Sequence, residues 1–292
     1  MAKTKKTDVY QMVADRIMSE LEKGIIPWHR PWIGCGSNCI SYTTDRPYSP
    51  LNCWLLQEPG EYITCKQCND LGGTVKKGAK SKMVVFSKKN TWTETVKNED
   101  GEDEERIHEY FTLKYYHVFN IKDCEGIKSK WNYEDNKSDL TPVEEAEKIV
   151  ADYKAKQPTL TIQTEERSGE AYFSPSRDLI VVPTIGQYKD VAEYYSTLYH
   201  EMVHSTGVAG RCDRGLNSLA AHGKKEYSTE ELVAETGSAM LVNIAGLDAD
   251  KAFKNSVAYI QSWLKALKND KKMIIIAAAR AEKAVKYILN EQ

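Results

Sequence analysis

Residues 197–207, TLYHEMVHSTG, put two histidines four positions apart with a glutamate directly after the first. On a helix of 3.6 residues per turn, His200 and His204 lie one above the other, so both rings can reach one ion at about 2.0–2.1 Å. Glu201 stands beside them, where it meets a water held by that ion. Val191, Tyr195, Leu198 and Met202 form a separate apolar stripe on the same segment, and Gly207 ends it. The alternative is an ordinary helix carrying two of the six histidines of a 292-residue chain. Chance would produce this pattern on the order of once in 100 such chains.

Zinc held by two histidines requires a third protein ligand and keeps a fourth position for water, whose pKa falls toward about 7. Downstream, STEELVAETGSAML offers Glu231 and Glu235, four apart on one helix face, and His222 lies in the preceding loop. Ser228 with Glu231 also fits a capping box, in which Glu231 only starts a helix. Spacing leaves the three open. The pattern of residues 231–235 resembles the Glu-x-x-Ala-Asp helix of gluzincin-like metallopeptidases, which implies Glu231 as ligand and Glu235 as the group that orients a histidine.

The length implies two domains. Periodicity predicts a helix from about Asp8 to Lys23 capped by Thr7, a short helix around Tyr62–Asn69, and strands at Met83–Ser87 and in EYFTLKYYHVFNI. Polar, aperiodic WNYEDNKSDLT (Trp131–Thr141) is the expected linker, dividing the chain into 1–135 and 136–292. A helix beginning at Pro142, a hairpin of Ala171–Phe173 with Leu179–Val182, and helices at 191–205, 229–244 and from 250 onward follow. The class is therefore α+β. MIIIAAA is too short an apolar run to span a bilayer, and MAKTKKTDVYQMV lacks an apolar signal core, so the expectation is a cytoplasmic protein with no membrane partner. Seven cysteines fit reduced thiols.

The net charge of −2 hides an uneven distribution: residues 1–92 carry 14 Lys and Arg against 8 Asp and Glu. An acidic mimic of nucleic acid would have the opposite field. Trp28, Trp32, Tyr42, Tyr48, Trp54 and Trp92 are interleaved with Arg30, Arg46, Lys76, Lys77, Lys80, Lys82, Lys88 and Lys89. Positive charge tracks phosphates and rings stack on bases, so these residues are candidates for gripping single-stranded DNA, foremost Trp28, Arg30, Trp32, Lys76, Lys77, Lys80, Lys82 and Lys88. Each tryptophan is also a candidate for the core. GTVKKGAKS is not a P-loop, because Ala79 separates Gly78 from Lys80 and a strand follows. Cys35, Cys39, Cys65 and Cys68 are spaced too loosely for a zinc ribbon and read as buried thiols.

DVYQMVADRIMSELEKGIIPWHRPW, GGTVKKGAKSKMVVF, YYHVFNI, SPSRDLIVVP, LYHEMVHSTG and EELVAE together resemble successive signatures of ArdC-type antirestriction proteins of plasmids and other mobile elements. The resemblance covers Asp8 to the C-terminal helices and implies an N-terminal single-stranded-DNA-binding domain joined to a C-terminal zincin-like metallopeptidase domain. It further implies protection of incoming DNA from restriction, with His200, Glu201 and His204 as the peptidase motif. On this reading Glu201 is the general base, one Zn2+ (or Mn2+) is bound by His200, His204 and Glu231, and a host protein is the substrate. Leu179–Val182 is the strand expected to pair with that substrate. The rival reading is a DNA-coating shield whose metal is structural.

Overall fold

A computed structural model describes residues 8–29, 39–97, 103–130, 141–165, 170–216, 224–253 and 260–291. In the N-terminal half, α1 (Val9–Glu22) buries Val9, Val13, Ile17 and Leu21 of the apolar face that periodicity predicts, and Met12, also on that predicted face, is half-buried. Its cap is Asp8, whose carboxylate accepts from the Gln11 N–H; the expected cap, Thr7, lies outside the described residues. A 3-10 turn at Pro27–His29 follows, because Pro27 cannot extend a helix.

A five-stranded sheet comes next. It is built from β1 (Cys39–Ser41), β2 (Arg46–Pro47), β3 (Gly60–Ile63), β5 (Lys82–Lys97) and β6 (Asp103–Asn120), in the order β2-β1-β3-β6-β5. Between them lie α2 (Pro50–Leu56), α3 (Cys65–Asp70), and β4 (Thr74–Val75), which pairs with β7 (Cys124–Glu125). The helix expected at Tyr62–Asn69 begins only at Cys65. Tyr62 and Ile63 pair with Asn120 and Phe119 as strand, and Thr64 starts α3 through a reciprocal capping box with Gln67. β5 and β6 form one antiparallel hairpin of 16- and 18-residue strands, far longer than the five residues expected at Met83–Ser87.

Beyond the expected linker, most of which lies outside the described residues, come α4 (Pro142–Lys156), β8 (Thr161–Glu165), β9 (Tyr172–Ser174) and β10 (Leu179–Pro183). They are followed by α5 (Val191–Ser205), α6 (Lys224–Ile244), α7 (Ala249–Ala252), α8 (Ile260–Asn269) and α9 (Met273–Leu289). The small sheet runs β8-β10-β9. One expectation is overturned here: β10 pairs in parallel with β8 on one side and, over Leu179–Val181, antiparallel with β9 on the other, so most of the Leu179–Val182 strand has no free edge for a substrate. The edge strands are β8 and β9.

α5 and α6 pack closely because Gly237 faces Val203; a Cβ at 237 would lie 2.7 Å from Val203 Cγ2. A single hydrophobic cluster runs from Val13 and Trp54 through Tyr199 and Leu241 to Val285, so the two halves share one core. Among the described residues, no helix is long and apolar enough to cross a membrane.

Candidate metal centre

α5 carries His200 and His204 one turn apart, with Nε2 to Nε2 3.1 Å. From α6, Glu231 brings Oε2 to 3.5 Å from His200 Nε2 and Oε1 to 3.5 Å from His204 Nε2. A tetrahedral ion with bonds of about 2.05 Å separates its donor atoms by about 3.3 Å, so these distances suit one common ion. Two imidazoles and one carboxylate are also the donor set of hydrolytic zinc sites. Among the described residues this is the only group of three or more His, Cys, Asp or Glu whose ligand atoms all come within 4.8 Å of one another.

Glu235, four residues further along α6, faces the other side of His200: its Oε2 is 3.9 Å from Nδ1, not from Nε2. His222, the third candidate, lies outside the described residues. Glu201 is buried and lines the same cavity, of about 270 Å³, with Thr197, His200, Glu231, Glu235 and Phe253. Burial pushes its carboxyl above the usual carboxylate range, against the opposing fields of His200 and His204 and a hydrogen bond from the backbone N–H of Phe173 on β9. Burial alone would depress the His200 imidazole. The hydrogen bond to Glu231 and the charges of Glu201, Glu235 and Glu231 outweigh it and hold the pKa up at about 8.

Two features were not picked out from sequence. Glu230, buried at 4% exposure, accepts from Arg214 Nε at 2.8 Å and Nη2 at 2.6 Å, and lies 3.2 Å from His204 Nδ1. Burial opposes its charge, yet the Arg214 and His204 contacts keep its pKa below the usual value. Arg214 is itself anchored on the Val203 carbonyl and the Thr206 hydroxyl. The second is His29, whose Nε2 lies 2.9 Å from Glu235 Oε1. Glu230 was hidden by its neighbour Glu231, and His29 stands 206 positions from its partner, so only charge type could have pointed to either.

The nucleic-acid candidates separate. Trp28 is corrected: it has no exposed surface and its ring sits 5.5 Å from Trp54 and 5.2 Å from Trp263, which leaves no face for a base. Arg30 and Trp32 lie outside the described residues. Lys76 donates to the Lys122 carbonyl at 2.8 Å, while Lys77 and Lys80 are exposed on the turn after β4. Lys82 and Lys88 sit on β5, and the register puts both on one face of the hairpin with Phe86, Trp92, Tyr110, Lys114 and Tyr116. Four aromatic rings on this face are 46–50% exposed, among them Trp92 at 50%, and a groove of about 660 Å³ at its root is lined by Arg46, Tyr48, Phe86 and Tyr116. Of the four cysteines expected as buried thiols, Cys39 in β1 and Cys68 on α3 are buried, Cys65 at the start of α3 is exposed instead, and Cys35 is outside the described residues.

Comparison with known proteins bears on both halves. A family of zincin-like metallopeptidases matches residues 144–280, and the N-terminal domain of anti-restriction factor ArdC matches residues 7–119. The metal-free crystal structure of the antirestriction ArdC protein from plasmid R388 is 32% identical, with a TM-score of 0.69 over 98% of this chain and 100% of that one. Its Mn(II)-bound structure is 31% identical, with a TM-score of 0.71 over 97% and 98%. A DNA primase TraC of Escherichia coli is 32% identical over 312 residues, 99% of this chain but 28% of the primase. The chain thus spans little more than a quarter of that relative's length.

Proposed function

The chain belongs to the ArdC-type antirestriction family, and from that premise we propose that it binds single-stranded DNA through its N-terminal half and hydrolyses peptide bonds at a divalent-metal site in its C-terminal half. One observation carries the hydrolytic reading: Nε2 of His200 and of His204 and the Glu231 carboxylate converge at 3.1–3.5 Å, beside a buried Glu201. Zn2+ is the proposed ion, on the donor set; Mn2+, bound in the R388 relative, is the competitor. Such an ion supplies an acidified water and polarises a substrate carbonyl.

The chain's own residues do the rest. Glu201, with its pKa raised by burial, takes a proton from the attacking water and returns it to the leaving amine nitrogen. Glu230 meets Nδ1 of His204 at 3.2 Å and holds that imidazole in the tautomer that offers Nε2, and Glu235, 3.9 Å from Nδ1 of His200, places its negative charge on the side that favours the same tautomer there. An extended peptide adds to the sheet along the β9 edge, where the Phe173 N–H already faces Glu201.

The aromatic and basic face of the β5–β6 hairpin supports strand binding. Rings in that setting stack on bases for ~1–3 kcal/mol each, while Lys82, Lys88 and Lys114 meet phosphates. The test is Glu201→Gln in full-length, zinc-loaded protein, assayed on an unstructured peptide library with and without single-stranded DNA. Cleavage should fall by at least about 10²–10⁴ with metal and DNA binding retained. Undiminished protection of incoming DNA by that variant would favour a coating role with a structural metal. Undiminished cleavage would remove Glu201 as the base.

A further inference from the structure

We propose that the N-terminal half supplies a positioning residue to the metal centre: His29, acting through Glu235 on His200. This rests on the divalent-metal reading of the site. His29 comes from the 3-10 turn after α1, yet its Nε2 is 2.9 Å from Oε1 of Glu235, and the other oxygen of that carboxylate faces Nδ1 of His200 at 3.9 Å. One carboxylate therefore stands between a histidine of the N-terminal half and a ligand of the C-terminal half.

The His29 ring is held independently of that contact. It stacks on Phe253 at 4.0 Å and 12° between planes, and lies edge-on to its neighbour Trp28 at 6.3 Å. Trp28 is fully buried between Trp54 and Trp263. Pro27 opens the turn and restricts its backbone. The ring cannot swing away without disturbing a core made by both halves. The hydrogen bond from His29 holds Oε1 of Glu235, which turns the other oxygen of that carboxylate toward His200 Nδ1.

That direction matters at His200. An imidazole that gives Nε2 to an ion keeps its proton on Nδ1, and an acceptor facing Nδ1 selects that tautomer and steadies the ring. Glu230 does this for His204 from within the C-terminal half, braced by Arg214. His29 is to Glu235 what Arg214 is to Glu230. The metal centre is thus built across the seam between the halves.

The experiment measures Zn2+ affinity of full-length protein by competition with a chromophoric chelator, alongside melting of the metal-free forms. His29→Phe keeps the stacking and loses the hydrogen bond; it should bind Zn2+ about tenfold more weakly or worse, with metal-free melting little changed. His29→Gln places an amide nitrogen near the position of Nε2 and should recover most of the loss. In a Glu235→Gln background, His29→Phe should cost little more, because the two act as one unit. Should His29→Phe not fold, His29→Asn, whose amide stops short of Oε1, takes its place. Wild-type affinity in the Phe variant, failure of the Gln variant to recover, or losses that multiply in the double variant would each overturn the proposal while leaving the metal site standing. Absence of Zn2+ binding by the wild-type chain would overturn the site and this inference together.

Discussion

Arg214 grips Glu230 with two nitrogens, Nε on Oε2 at 2.8 Å and Nη2 on Oε1 at 2.6 Å, while the same carboxylate meets His204 Nδ1 at 3.2 Å. Both partners are about 95% buried, so the fork also neutralises a charge that water cannot reach. Arg214→Lys keeps the charge but loses the fork. Zn2+ affinity should fall about 10–100-fold, by the chelator competition described above. Arg214→Ala strands a buried carboxylate and should destabilise the protein by about 3–5 kcal/mol in urea unfolding. A fully stable Ala variant with native metal affinity would show that Glu230 does not depend on this fork.

Trp28 and Trp92 should behave in opposite ways. Trp92 is half exposed on the hairpin and stacks on His108 at 4.5 Å, so Trp92→Ala should leave melting nearly unchanged and weaken single-stranded DNA by ~1–3 kcal/mol. Trp28→Ala empties a core site and should cost about 3–5 kcal/mol of stability. Lys88→Ala should reduce the slope of log affinity against log salt by roughly one contact. Fluorescence anisotropy with a labelled oligonucleotide at several salt concentrations reads the Trp92 and Lys88 effects on binding, and thermal and urea unfolding read the stabilities. DNA affinity that ignores both salt and Trp92 would exclude the hairpin face as the strand path.

The contrast between those two tryptophans shows where sequence stops. His200, Glu201 and His204 are legible because their relation is local: one helical turn sets it, and α5 spans the predicted residues. Glu231 was legible as one candidate among three, since the choice depends on how α6 lies against α5. Glu230, Arg214 and His29 were not legible, because their roles exist only once segments distant in sequence are packed. The same limit governs β10. Its apolar residues announce a strand, but strand order is a non-local property, and two neighbours close most of its edges. In the hairpin, polar residues such as those of TWTETV weakened the alternation that marks a strand, so β5 ran ten residues past the predicted end.

Gly237 is expected to be intolerant of a larger side chain. A Cβ there would stand 2.7 Å from Val203 Cγ2 and 3.1 Å from Cγ1, directly next to His204 in sequence. Gly237→Val should wedge α6 from α5, cost about 1–3 kcal/mol, and weaken metal binding because Glu231 rides on α6. Val203→Ala in the same chain should recover part of both losses. A Gly237→Val protein with unchanged unfolding midpoint and zinc affinity would contradict the close approach.

Alkaline pH should unfold the chain through its buried tyrosines. Tyr153 joins α4 to α5 by a 2.8 Å hydrogen bond with Ser205, and burial pushes its phenol up to about 12, against the opposing effects of Ser205 and Arg211. The folded state holds this proton more tightly than the unfolded chain, whose tyrosines titrate near 10. Stability from Tyr153 is therefore complete below pH 10 and is lost as pH rises through 12, at up to about 1.4 kcal/mol per pH unit. Tyr48 is raised to about 12 as well, chiefly by burial, so the N-terminal half carries the same sign. Urea unfolding should show stability beginning to fall above about pH 8.5, where the buried thiols of Cys39 and Cys124 hold protons that the unfolded chain releases, and falling more steeply from pH 10 to 11 as the tyrosines join them. Tyr153→Phe should lose about 0.5–1.5 kcal/mol at neutral pH for the missing hydrogen bond, and should fall less steeply above pH 10 because it has no phenol to ionise. A Phe variant with the same alkaline slope as wild type would move the effect to other tyrosines, and a flat wild-type profile would mean that these phenols reach solvent before the fold opens.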